Sequence, residues 1–161
     1  MKLLRVDPIT RVSSYPRTRE IRPNPLPNWE RSTAALIEPF APSGLAIPGQ
    51  IAHFDGLPAE VAAELLRVVP DEHLQFRQGG VAPTGRAMLE QCAAHPSRTC
   101  QGYITLPPRD DQRLAVDGLT CPDLGWDARE TSALYAKLAP LEQPDAAGYY
   151  PELNAWHLWW D

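Results

Sequence analysis

The sequence predicts an α+β fold: a small mixed β-sheet of three strands, two of them a hairpin, packed against three to four short helices behind an extended Pro-rich N-terminal arm. Three observations predict it. Residues 58–69 carry Val61, Ala62, Leu65, Leu66 and Val69 at i, i+3, i+4 spacing, an apolar helical stripe that leaves Glu60, Glu64 and Arg67 outside. Residues 101–106 and 113–119 are rich in β-formers and flank a charged loop, Pro107 to Gln112, which is a hairpin pattern. Residues 1–31 carry seven Lys/Arg and three Asp/Glu, a formal +4, while residues 32–161 carry eight and seventeen, a formal −9. The basic part also holds Pro8, Pro16, Pro23, Pro25 and Pro27, each of which fixes φ and removes a backbone donor. It reads as an extended arm ahead of an acidic body. Residues 1–48 are assigned to this arm and a connector, and residues 49–161 to one compact domain that ends in an aromatic tail.

The elements follow in order. Residues 1–28 show no helical or strand period of useful length. Residues 29–38 read as a short helix with Asn28 as N-cap and Pro39 as the stop, Trp29, Leu36 and Ile37 sharing a face. Residues 40–50, with Pro42, Gly44, Pro48 and Gly49, form the connector. The helix of residues 58–69 has Pro58 in its first turn, Glu60 placed to complement the helix dipole, and Pro70 as its end. Residues 72–78 alternate Leu74 and Phe76 against His73, Gln75 and Arg77, the pattern of a half-buried strand.

After the Gly79-Gly80 break, Thr84 caps a helix running to about residue 95 with Met88, Leu89, Cys92 and Ala93 inward. Strand 72–78, this helix and strand 101–106 have the lengths of a right-handed parallel crossover. In the hairpin, pairing Ile104 with Val116 and Leu106 with Leu114 brings Gly102 against Gly118. A last helix runs from the capping pattern Asp127–Glu130 to residue 138, with Thr131, Leu134, Tyr135 and Leu138 on its inner face. Phe54-Asp55-Gly56-Leu57 is echoed by Val116-Asp117-Gly118-Leu119, a match too short to define a repeat.

Composition narrows the function. The chain of 161 residues has room for one core. No apolar run approaches a membrane span, and the start lacks the apolar stretch of a signal peptide. Three cysteines, an odd number, agree with reduced thiols. The expectation is a cytoplasmic protein with no membrane partner and no cofactor.

Catalytic patterns are missing. Gly80-Val-Ala-Pro-Thr-Gly85-Arg86-Ala87 lies between a strand and a helix, as a phosphate-binding loop does. Arg86 stands where that loop needs Lys, however, and Ala87 lacks the magnesium-binding hydroxyl. No serine sits in a G-x-S-x-G turn, no histidine pair shows H-E-x-x-H spacing, and no enzyme activity is expected. Cys92, His95 and Cys100, with Cys121 after the second hairpin strand, give a conceivable tetrahedral zinc site; the alternative is buried thiols acting as small apolar residues.

Two features point to partners. Arg11, Arg17, Arg19 and Arg22 surround Tyr15 in the arm. Tyr149, Tyr150, Trp156, Trp159 and Trp160 crowd the tail, where Leu153, Trp156 and Trp160 align at helical spacing. A tail this aromatic must dock, on its own core or on a partner. The expected function is a non-enzymatic interaction or regulatory protein that binds a protein partner through Arg11, Tyr15, Arg17, Arg19 and Arg22, with Trp156, Trp159 and Trp160 as further contacts. Two alternatives stand beside it. One is a winged-helix-like DNA-binding adaptor, with residues 84–95 as the reading helix and 107–112 as the wing. The other is a small module stabilised by zinc on Cys92, His95, Cys100 and Cys121.

Overall fold

A computed structural model of the chain describes residues 28–45, 49, 51–124, 141 and 143–161. Within them lie helices α1 (Asn28–Ile37), α2 (Ala59–Val68) and α3 (Gly85–Ala93), and strands β1 (Ile51–Pro58), β2 (Thr99–Thr105), β3 (Arg113–Cys121), β4 (Ala146–Tyr150) and β5 (Ala155–Trp159). The strands form one sheet in the order β1-β2-β3-β5-β4, and every neighbouring pair is antiparallel. The α+β class is as expected. The three-stranded mixed sheet is not: among the described residues there are five strands and no parallel pair.

Each departure has a local cause. Residues 72–78 are not a strand but a chain of turns, with 3-10 segments at Asp71–His73 and Gln78–Gly80 and a lone bridge from Arg77 to Thr84. His73 N–H donates to the Pro70 carbonyl and Leu74 N–H to the Asp71 carbonyl, bonds of a turn rather than of a ladder. Leu74 is buried all the same, which is what its alternation with polar neighbours recorded. Without that strand the parallel crossover disappears.

β1 covers residues to which the sequence pattern assigns no strand, and it includes Gly56 and Pro58. The strand absorbs both, with Asp55 and Gly56 in a bulge and Pro58 as its final residue and the N-cap position of α2. α1, assigned to the arm and connector, packs on α2 and buries Ile37 in the common core. The tail is a hairpin, not a helix. Residues 151–154 turn between β4 and β5, with Asn154 at φ +47°, and β5 adds to β3.

The helices lie on one face of the sheet. The register row Leu57, Cys100, Leu119, Leu158 joins Phe54, Ile104, Leu114 and Val116 from the strands with Ala62, Leu65, Met88, Leu89 and Cys92 from α2 and α3. Thr84 caps α3 as expected, its hydroxyl accepting from the Ala87 N–H at 3.2 Å. The hairpin of β2 and β3 forms with a register two residues from the expected one: Ile104 meets Leu114 and Gly102 meets Val116. The side chains keep their faces because the slip is even. Gly102 permits the close pairing, since a Cβ there would run into the Ala115 carbonyl of β3.

Candidate binding face of the sheet

Strand alternation sends a second set of side chains away from the helices. The rows are His53, Tyr103, Ala115; then Gln101, Gly118, Trp159, Ala146; then Thr120, His157, Gly148. Two bulges break this face at the same place. On β1, Asp55 and Gly56 stand between Phe54, which pairs with Gly102, and Leu57, which pairs with Cys100. On β3, Asp117 and Gly118 stand between Val116, which pairs with the same Gly102, and Leu119, which pairs with the same Cys100. The two echoed tetrapeptides therefore flank β2 symmetrically, with Gln101 between them. A bulge re-aims its side chain, and these two border one hollow of about 190 Å³ lined by His53, Phe54, Asp55, Gln101, Gly102 and Asp117.

Asp117 is the unusual group in this hollow. Burial, with the carboxylates of Asp161 and Asp55 adding repulsion, pushes its pKa up to about 6, against an opposing hydrogen bond from the Gln101 side chain. Its Oδ1 is buried and has no hydrogen-bond partner among the described residues. Gly118 is needed for the Gln101 contact: a Cβ there would lie 2.6 Å from Gln101 Cγ and 2.9 Å from its Nε2, driving the amide off the strand. The backbone is fixed as well, since Trp160 N–H donates to the Asp117 carbonyl at 2.8 Å.

Around the hollow, Tyr103 donates its hydroxyl to Gln78 Oε1 at 3.0 Å, and its ring meets those of His53 and Phe76 at 6.0 and 6.4 Å. The Arg113 guanidinium lies 4.3 Å from the Phe76 ring centre. Burial holds the His157 pKa below its ordinary value, with Asp55 opposing the shift, and Nδ1 of His157 is 3.1 Å from Thr120 Oγ1. That contact is a cross-strand pair in the sheet register. Among the described residues no carboxylate is hydrogen-bonded to the imidazole to complete a catalytic relay. The hollow has the size and polarity to receive one cationic or hydrogen-bond-donating side chain.

The residues singled out in the sequence fall elsewhere. Trp160 is 1% exposed and belongs to the core, so it is not a surface contact in this fold. Trp156 is half-buried against the core and edge-on to Tyr149 at 5.7 Å, while Trp159 is half-buried on the open face. Arg11, Tyr15, Arg17, Arg19 and Arg22, and the helix expected at 127–138, lie outside the described residues.

The cysteines are buried free thiols. Cys92 donates weakly to the carbonyls of Arg98 and Leu57, burial pushes the Cys121 thiol up to about 12, and His95 sits at the surface 3.8 Å from Asp123. Among the described residues no three His, Cys, Asp or Glu are placed to share a metal ion, which removes the geometric basis for zinc. Arg86 of the phosphate-loop segment is paired with Asp71 and Glu90. The expected wing is self-neutralised: Asp111 takes two hydrogen bonds from Arg109, at 2.6 and 2.7 Å, and one from Arg113 at 2.6 Å. Those bonds, that from Arg109 foremost, hold the Asp111 carboxyl well below the usual carboxylate range.

Asp55, Gln101 and Asp117 were not candidates from the sequence. The signal that marks them is the Asp-Gly echo, which gains meaning only when both copies pair with one strand. Among the described residues no helix is long and apolar enough to cross a membrane. No family model, curated protein or solved structure matches this chain.

Proposed function

We propose that the protein is a non-enzymatic interaction protein that engages a protein partner at the outer edge of its terminal hairpin, the partner adding a strand beside β4. The observation that carries this reading is β4 itself. Ala146–Tyr150 pairs with β5 on one side and with no other described strand, and it contains neither a charge nor a proline. Such edges are usually guarded by Lys, Pro or a covering element, and an unguarded one is a template for another chain. Tyr150 at 44% and Leu153 at 62% exposure stand at the end of the same hairpin, where an aromatic and a leucine give a partner apolar surface to cover.

The hairpin carries the contact in this reading rather than the tryptophans as a group, because Trp160 is committed to the core. The test is co-purification from the native host with the full chain and with Ala146→Lys/Ala147→Lys, both exposed positions. A partner retained by the wild type and lost by the doubly charged edge, with the melting temperature within a few degrees, is expected. Equal retention by both forms rejects the edge.

A further inference from the structure

We propose that the partner at the β4 edge is a second copy of this chain. Two β4 strands pair antiparallel about a two-fold axis at Gly148 and join two five-stranded sheets into one continuous sheet. The inference rests on the β4 reading above and names its occupant.

The two edges of the sheet differ, and the difference sets the stoichiometry. β1 and β4 are the outer strands. β1 is guarded: the bulge at Asp55 and Gly56 interrupts its ladder, both residues are exposed, and Pro58 at its end has no N–H to donate. β4 carries no bulge, charge or proline, and its Ala146, Ala147 and Tyr150 are exposed. One open edge per copy is used up when two copies meet, so pairing closes at a dimer. Two open edges would propagate into a fibre.

The strand fits itself. In Ala146-Ala147-Gly148-Tyr149-Tyr150 the small half precedes the large half. A two-fold axis normal to the sheet requires paired residues to share a face, and with the axis at Gly148 all five positions are paired. Ala146 then meets the partner's Tyr150 on the open face, and Ala147 meets the partner's Tyr149 on the helix-bearing face. Each contact sets a ring against a methyl group. An axis at Ala147 would instead oppose Asp145 to Tyr149, and one at Tyr149 would oppose Ala146 to Glu152. Charge agrees with Gly148 as the centre. The flanking carboxylates, Asp145 and Glu152, fall opposite Pro151 and Pro144, so no like charges face each other across the ladder. The rings are also placed in advance: Tyr149 is edge-on to Trp156 at 5.7 Å and Tyr150 to His157 at 5.9 Å, so pairing costs little side-chain order.

The experiment follows sedimentation of the full chain from roughly 1 µM to 1 mM, the span of a weak interface, together with thiol coupling of added cysteines under a mild oxidant. Cys92, Cys100 and Cys121 are buried free thiols, so a cysteine added at the edge reacts selectively. Gly148→Cys has room, since a Cβ there lies 3.5 Å from the Tyr150 ring, an ordinary contact. A dimer should form as concentration rises, and Gly148→Cys should couple to itself. Ala146→Cys should couple to Tyr150→Cys in an equimolar mixture. With its own equivalent roughly 14 Å away along the ladder, Ala146→Cys alone should couple less than a tenth as much. The mixture gives the answer where Gly148→Cys folds poorly. Each copy carries a formal −5, so raising NaCl from about 0.05 to about 0.5 M should strengthen the dimer by screening that repulsion.

A monomer across the whole concentration range overturns the proposal. So does a dimer that couples equally at Ala146→Cys and Gly148→Cys, or in neither Gly148→Cys nor the mixture. Failure of the edge itself is read separately. A monomeric chain whose host partner is lost in Ala146→Lys/Ala147→Lys keeps the edge and rejects the second copy, whereas a monomer with equal retention by both forms rejects both.

Discussion

Replacing Asp123 with Ala should destabilise the protein by about 3 kcal/mol, near the low end of the range for breaking a buried ion pair. Arg98, at the turn between α3 and β2, is 1% exposed, yet it carries a full guanidinium. It is held by a two-pronged bond to Asp123, Nε to Oδ1 at 2.9 Å and Nη2 to Oδ2 at 2.7 Å, and by Nη1 to Gln91 Oε1 at 2.9 Å. Removing the carboxylate leaves the cation inside with one bond of three. The low end of the range applies because the Asp123 side chain is 29% exposed, so water already screens part of the pair.

For a chain of this length each kcal/mol is worth roughly 3 °C, so the midpoint should fall by roughly 10 °C in a thermal scan. Arg98→Met/Asp123→Leu, which removes both charges, should recover most of the loss, since an apolar pair of similar volume is often neutral or better. The pH dependence has a definite sign. Burial raises the Asp123 pKa, but the hydrogen bonds and charge of Arg98 outweigh it and leave the net value below 3.8. The folded state therefore binds this proton less readily than the unfolded chain. The stability it contributes is complete above the unfolded pKa and is lost as pH falls below 3.8 through the folded value. A loss under about 1 kcal/mol for Asp123→Ala, or a double variant no better than the single, would refute the reasoning.

Trp160→Ala should cost about 3–5 kcal/mol, the range for an aromatic deleted from a packed core, and Trp159→Ala markedly less, read as the difference between their urea midpoints. His157 should make acidification harmful: its folded pKa is lowered from 6.5 by burial, so the unfolded chain takes the proton first and stability falls as pH drops from 6.5 to the folded value. His157→Asn should flatten that part of a stability profile measured between pH 7.5 and 5.

The parts of the fold visible in the sequence are those where a local signal and the tertiary environment agree. α2 has its stripe and α3 its Thr84 cap, and both stand within a residue or two of where the pattern places them. The strands of the central hairpin carry enough β-branched and apolar residues to be found, but not their register, which differs from the expected one by two residues beside the loop and by one beyond the bulge at Asp117. α1 likewise falls within a residue of its expected span, whereas the tail hairpin was hidden by competing readings of the same residues. Trp156, Leu158 and Trp160 repeat every two residues, while Leu153, Trp156 and Trp160 repeat every three to four. Only the turn at 151–154, closed by Asn154 at positive φ, decides for the strand. Leu74 and Phe76 alternate with polar neighbours without forming a ladder, because burial alone produces that pattern when a turn passes over an apolar surface.

The open face shows why the site was harder to see than the fold. A sheet needed only for stability has no use for a carboxylate whose pKa burial has pushed up to about 6, nor for two bulges that interrupt its ladders at the same point. Each bulge gives up regular pairing, and the half-buried Asp117 adds a desolvation penalty that an apolar residue would avoid. These are departures from local consistency. They converge here on Gln101, a single residue of the strand between them. The sequence holds both tetrapeptides in plain view, 62 residues apart. Their shared partner exists only once β1 and β3 have taken opposite sides of β2, so the hollow is a property of strand order that neither tetrapeptide carries alone.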